Sequence, residues 1–253
     1  MKKVFLITLI YSFFLSVTQV TYPQQAEGRI TYLTTYDWVK MLNACDYLSK
    51  ERKERTAYMW GNDSEWKMYN NLYFSATRSK YEDSEEKADP EDDGSYAGRK
   101  ETFVMTCNFE NNTCFHALEV LGKTYLITDS LKTPDWKILN DLKEVAGHVC
   151  MNATLKDTLR NQKVVAWFAL DIPVQAGPDR FFGLPGIILE ININKGAMVI
   201  AAENIEMRPL THEFDLPKKL KGKKINTTDY EAVLKKFYDD KRQAEEFPWG
   251  VRY

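Results

Sequence analysis

Histidine is scarce in this chain, with three in 253 residues, and His116, His148 and His212 are scattered along it. Hydrolysis through a serine or cysteine nucleophile needs a base beside it, yet no G-x-S-x-G turn is present. Neither G-x-x-x-x-G-K-[ST] nor G-x-G-x-x-G occurs, so a phosphate-cradling nucleotide fold is excluded. There is no C-x-x-C and no histidine at ligand spacing beside a cysteine, which removes the usual structural zinc site. The acidic run from Glu82 to Gly98 lacks the D-x-D-x-D-G spacing of a calcium loop. A formal net charge of -2 gives no basic surface for a nucleic-acid partner. No cofactor is therefore expected. Asp171 and Glu190 could supply the paired carboxylates of a glycoside hydrolase, but carboxylates at strand ends ordinarily sit in water or ion pairs.

What is present begins with Met1-Lys2-Lys3, a largely apolar run from Val4 to Leu15, and a small, polar stretch from Ser16 to Gln19. That order is basic, greasy, then cleavable, as in a secretory signal peptide. Residues 1–22 are assigned to it, with the cut between Thr18 and Ala26. The apolar run is too short for a spanning helix, which needs about 20 residues, and no cysteine lies there to carry a lipid. The expected destination is the periplasm or outer membrane, or the medium.

Export gives the four cysteines an oxidising environment. Cys107 and Cys114 flank a turn-like Asn108-Phe109-Glu110-Asn111-Asn112-Thr113 and are expected to bridge a hairpin, stabilising by about 2 kcal/mol. Cys45 and Cys150 remain, paired or free.

Residues 27–253 read as one β-rich domain. GRITYLTTY from Gly28 alternates as a strand does, and Asp37 then caps an amphipathic helix running to Tyr58, with Trp38, Met41, Leu42, Cys45 and Leu48 on one face. From Glu65 to Tyr81, Trp66, Met68, Asn70, Leu72 and Phe74 share a face, predicting one long strand or a tight pair. Residues 82–100 form an acidic loop poor in apolar residues. Short strand-like runs follow from Glu101 to Met207, separated by Gly, Pro and Asn. A C-terminal helix is expected from a cap at Thr227 or Thr228 to about Glu246. The fold class is mainly β (α+β): an antiparallel sheet curved into an open or half barrel, or a sandwich, with one N-terminal and one C-terminal helix. Five lysines between Leu216 and Lys224 read as a solvated linker, or as a peripheral contact with acidic membrane headgroups.

Asp171 to Gly186 reads DIPVQAGPDRFFGLPG, a path constrained by three prolines and three glycines. Gly183-Leu184-Pro185-Gly186-Ile187-Ile188, preceded by Ala166-Trp167-Phe168 and Asp171-Ile172-Pro173-Val174, resembles the signature of the GLPGLI (Porph_ging) family of exported Bacteroidota proteins. Trp136-Lys137-Ile138 and Ala146-Gly147-His148-Val149-Cys150 resemble that family's tryptophan strand and alanine-glycine turn. Ile187-Ile188 replaces the name-giving Leu-Ile, and His148 replaces an aromatic. The resemblance implies an envelope protein with no reaction to carry over, and a pattern similar to the half-barrels that wrap a helix in periplasmic lipoprotein carriers.

The expected function is non-catalytic binding of an apolar ligand or extended envelope partner, with Phe181, Phe182, Gly183, Leu184, Pro185 and Gly186 at the mouth of the site. Two alternatives stand beside it: a hydrolase of unfamiliar type acting on envelope material, and a structural subunit docked through Phe247-Pro248-Trp249-Gly250-Val251-Arg252-Tyr253.

Overall fold

A computed structural model describes residues 26–60, 64–88 and 103–253. The export segment and most of the acidic 82–100 stretch lie outside these residues. Among the described residues twelve strands form one open sheet: β1 (Gly28–Asp37), β2 (Glu65–Phe74), β3 (Arg78–Asp83), β4 (Phe103–Asn108), β5 (Thr113–Val120), β6 (Lys123–Ser130), β7 (Lys137–Val145), β8 (His148–Asp157), β9 (Gln162–Ala169), β10 (Ile187–Ile193), β11 (Met198–Met207) and β12 (Lys223–Ile225). Their order is β12-β6-β5-β4-β3-β2-β1-β11-β10-β9-β8-β7. All neighbours are antiparallel except β12, which runs parallel to β6. The lysine-rich segment thus supplies an edge strand as well as a linker.

The sheet is strongly curved. β5 and β8 stand eight places apart in the order, which at about 4.8 Å per strand would separate them by roughly 38 Å if flat. Side chains from both nevertheless line one cavity. A single sheet folded toward itself, not two packed sheets, is the architecture.

Turn chemistry sets the hairpins. Ala146 and Gly147 have φ of 49° and 82° between paired Val145 and His148, the signature of a two-residue type I′ turn that matches strand twist. His148 is therefore a strand-start residue. Leu121-Gly122 does the same between β5 and β6. The alternation expected in 65–81 resolves as the tight pair β2 and β3.

The single N-terminal helix is in fact two, α1 (Trp38–Ala44) and α2 (Lys50–Trp60). Asp37 caps the first, accepting from the Lys40 amide at 3.0 Å. Ser49 begins the second, its Oγ accepting from the Arg52 amide at 3.3 Å. A second capping residue inside the periodic run restarts the helix on a new axis. The last helix, α3 (Thr227–Gln243), is capped one residue earlier than expected, by Asn226, which accepts from the Asp229 amide. Among the described residues no helix is long and apolar enough to cross a membrane.

The core fills the concave side with Ile30, Tyr32, Leu72, Phe74, Ala166 and Phe168, all fully buried. A bulge in β10 leaves Leu189 without a register partner between Ile188 and Glu190. The break in alternation lets Ile187, Ile188 and Leu189 all be buried.

Candidate functional site

The proline- and glycine-rich loop from Asp171 to Gly186 lies over the concave core. Gly183 takes a φ of 89°, and a Cβ on Gly186 would stand 2.0 Å from the Ala169 carbonyl oxygen. Glycine is required there by close backbone approach. Leu184 is 1% exposed and plugs the core, while Pro185 faces solvent.

Beside this loop opens a cavity of about 570 Å³. Its floor comes from alternate residues of three strands: Met105 and Cys107 on β4, Cys114, His116 and Leu118 on β5, and Ile127 on β6. Period-two alternation turns these side chains to one face. The walls are Leu155 and Asp157 of β8, Asp179 to Phe182 of the loop, and Tyr230 and Leu234 of α3. Of the six loop residues expected at the mouth, Phe181 and Phe182 line the cavity. Gly183, Leu184, Pro185 and Gly186 do not; they shape the loop and seal the core.

A charged cluster forms one wall. Arg252 donates through Nε and Nη2 to the same Asp179 oxygen at 3.0 and 2.7 Å and stacks on Phe103 at 3.8 Å. Arg180 reaches the other Asp179 oxygen at 3.3 Å and donates to Gln162 at 2.7 Å. Asp157 pairs with Arg160 at 2.9 Å and more loosely with Arg180 at 3.6 Å. Asp179 adopts a φ of 56°, a conformation uncommon outside glycine, which Asp tolerates better than most residues. Burial opposes its ionisation, but Arg252 and then Arg180 outweigh that and hold its carboxyl down to about 2. Burial, with the like charge of Arg160 alongside, pulls the Arg180 guanidinium below its usual value. The Nε atoms of Arg160 and Arg180 are buried with no hydrogen-bond partner.

The C-terminal segment Phe247–Tyr253 packs into its own chain. Arg252 is held as above, Arg180 donates to the backbone oxygen of Tyr253, the last residue, at 3.2 Å, and Asn194 donates to the Tyr253 hydroxyl at 2.7 Å. Phe247 is buried, and Trp249 packs on it and on Trp38.

All four cysteines are free thiols in this structure; the sequence expected one bridge, Cys107 to Cys114, and left Cys45 and Cys150 open. Cys107 and Cys114 are direct register partners across β4 and β5, as the hairpin reading anticipated. Cys45 and Cys150 have no charged neighbour in common: Cys45 sits near Tyr47, Lys53 and Asp46, Cys150 near Asp171, Glu190 and Lys143. Burial pushes the Cys107 thiol up to about 12 and raises that of Cys114. It lowers His116 to about 4, and His116 Nδ1 has no hydrogen-bond partner.

The remaining candidates lie away from the cavity. His148 and Asp171 pair at 2.6 Å, and Glu190 is held by Lys143 at 2.6 Å. Neither pair lines the cavity. Among the described residues no group of three or more His, Cys, Asp or Glu is placed to hold a metal ion. Sequence spacing gives no sign that Arg160, Arg180 and Arg252 gather around Asp157 and Asp179. The 73 residues separating Asp179 from Arg252 leave no local signal, although arginine beside a loop aspartate was visible at Asp179-Arg180.

A family model described as "Protein of unknown function (Porph_ging)" matches residues 156–190, a partial match that supports the GLPGLI resemblance. Among curated proteins, no sequence match reaches significance. Two crystal forms of PNGF-II are similar in structure. One gives a TM-score of 0.55 at 12% identity over 83% of this chain and 33% of that one. The other gives 0.54 at 13% identity over 83% and 32%. The chain thus spans about a third of PNGF-II, and at these identities the likeness is one of fold.

Proposed function

We propose that this chain is an exported cell-envelope protein that binds an apolar ligand in the cavity between its sheet and α3, without transforming it. The observation that carries the reading is the cavity itself: about 570 Å³, within the roughly 300–1,000 Å³ of small-molecule sites. Its floor of Met105, Leu118 and Ile127, and Phe181 and Phe182 beside it, offer apolar surface to a ligand. The signal-like first 22 residues support export.

A hydrolase reading draws on Cys114 and His116, two residues apart on the same face of β5. An activated thiol needs a lowered pKa and a base able to accept its proton. Burial does the reverse here, holding the thiol protonated and weakening the imidazole as a base. Binding is the better-supported function.

The test is titration with the apolar fluorophore N-phenylnaphthylamine. The wild-type chain should bind it at one site. Leu155→Trp, which narrows the cavity from the β8 wall, should weaken the signal at least about tenfold while preserving the thermal midpoint. Equal binding by the two proteins would place the probe elsewhere and refute the reading.

A further inference from the structure

We infer that the ligand of this cavity is a neutral apolar molecule carrying a carbonyl or similar oxygen acceptor, which takes a hydrogen bond from the Nε2–H of His116. This rests on the binding function proposed above and names the chemistry of what is bound.

The imidazole enters the cavity floor from β5, opposite Met105 of β4. Its Nδ1 is enclosed without a hydrogen-bond partner. Nε2 is not one of the enclosed atoms, and among the described residues no group bonds to it. Nε2 is therefore the nitrogen that opens on the cavity. An orphaned buried donor is rarer in folded proteins than an under-used acceptor, which assigns the single proton of the neutral ring to Nε2 and aims a donor at the ligand. Burial lowers the ring to about 4, so at neutral pH the ligand meets an uncharged donor. A hydrocarbon lying over it would seal that N–H from water without a partner, which costs affinity. An oxygen acceptor in the same place restores the bond.

The charged wall asks for no charge in return. Arg252 gives two nitrogens to Asp179. Arg180 is engaged by Asp179, Gln162 and the Tyr253 backbone oxygen, and Arg160 by Asp157. The charge that reaches His116 is the Asp179 carboxylate, which repels an anion brought to the same place. An acid would also have to shed its hydration beside Met105, Leu118 and Ile127. A carbonyl sheds far less.

Three naphthalenes of similar shape, 2-acetylnaphthalene, 2-ethylnaphthalene and 2-naphthoate, test this by displacing N-phenylnaphthylamine at neutral pH. On the wild-type chain 2-naphthoate should bind at least about tenfold more weakly than the ketone. His116→Phe keeps a flat ring and removes the N–H, so the ketone should weaken at least about fivefold relative to 2-ethylnaphthalene. The infrared carbonyl stretch of the ketone bound to the wild-type chain should lie below its position in hexane, a reading that stands even if the variant fails to fold. A ketone-to-hydrocarbon ratio unchanged by His116→Phe, or a stretch at the hexane position, would overturn the hydrogen bond and leave apolar binding intact. Binding of 2-naphthoate as tight as that of the ketone would refute the neutral ligand. Failure of N-phenylnaphthylamine itself to bind would overturn the binding function and this inference together.

Discussion

Replacing Asp179 by asparagine tests the charged wall most sharply, because the change preserves shape and removes one charge. Asp179 accepts two bonds from the Arg252 guanidinium and two from Arg180, one of them from its backbone amide, in a site where its side chain is 1% exposed. Two magnitudes compete. A carboxyl held at about 2 instead of the usual value near 3.9 corresponds to roughly 2.6 kcal/mol of linked stability. Truncating one partner of a buried pair costs about 3–5 kcal/mol, because the other ion is left unpaired. The larger figure should govern Asp179→Asn, since Arg252 stays behind. At about 2–4 °C per kcal/mol for a chain of this size, the thermal midpoint should fall by roughly 6–20 °C. Asp179→Asn with Arg252→Met should lose less than the two single variants added together. The same carboxyl gives a pH signature. Its folded value is depressed, so its stabilisation is present above the unfolded value near 4 and is lost as pH falls toward 2. Calorimetry at neutral pH decides the case: a loss under about 1 kcal/mol, or strict additivity in the double variant, would refute a buried, mutually dependent pair.

His116, held near 4 by burial, also has a depressed folded value. The unfolded chain therefore binds its proton first, and stability should fall by at most about 3 kcal/mol as pH drops from about 6.5 to 4. Denaturant titrations of His116→Gln should lack that slope. Gly186→Ala, whose methyl would lie 2.0 Å from the Ala169 oxygen, should cost about 1–3 kcal/mol or more by overpacking. Gly147→Ala meets no atom within 4 Å and should lose only about 1 kcal/mol, from its positive φ; equal losses in thermal melts would contradict the packing argument. Asn226→Ala should cost about 1 kcal/mol by uncapping α3, read as lost helical signal and a lower midpoint. Mild oxidation followed by peptide mapping should link Cys107 to Cys114, whose antiparallel register places their α-carbons about 4.5–5.5 Å apart, and leave Cys45 and Cys150 alkylatable.

Much of the sheet was legible because its signals are local. Trp66, Met68, Asn70, Leu72 and Phe74 declare one strand by alternation, and Ala146-Gly147 declares a turn by needing two positive φ values. The α1/α2 break was hidden because Leu48, inside the break, continues the helical spacing of Met41 and Cys45. Residues 183–186 were misplaced at the mouth since an apolar loop reads the same from sequence whether it plugs a core or lines a cavity. The guanidinium cluster was out of reach, because curvature of the sheet, not spacing, brings Arg160, Asp179 and Arg252 together.

Native mass spectrometry of the protein released from the envelope of expressing cells tests the central claim most directly. The account predicts a noncovalent adduct of small-molecule mass on the wild-type chain, depleted in Leu155→Trp isolated in the same way. A wild-type chain carrying no adduct, or an adduct carried equally by the narrowed variant, would contradict it.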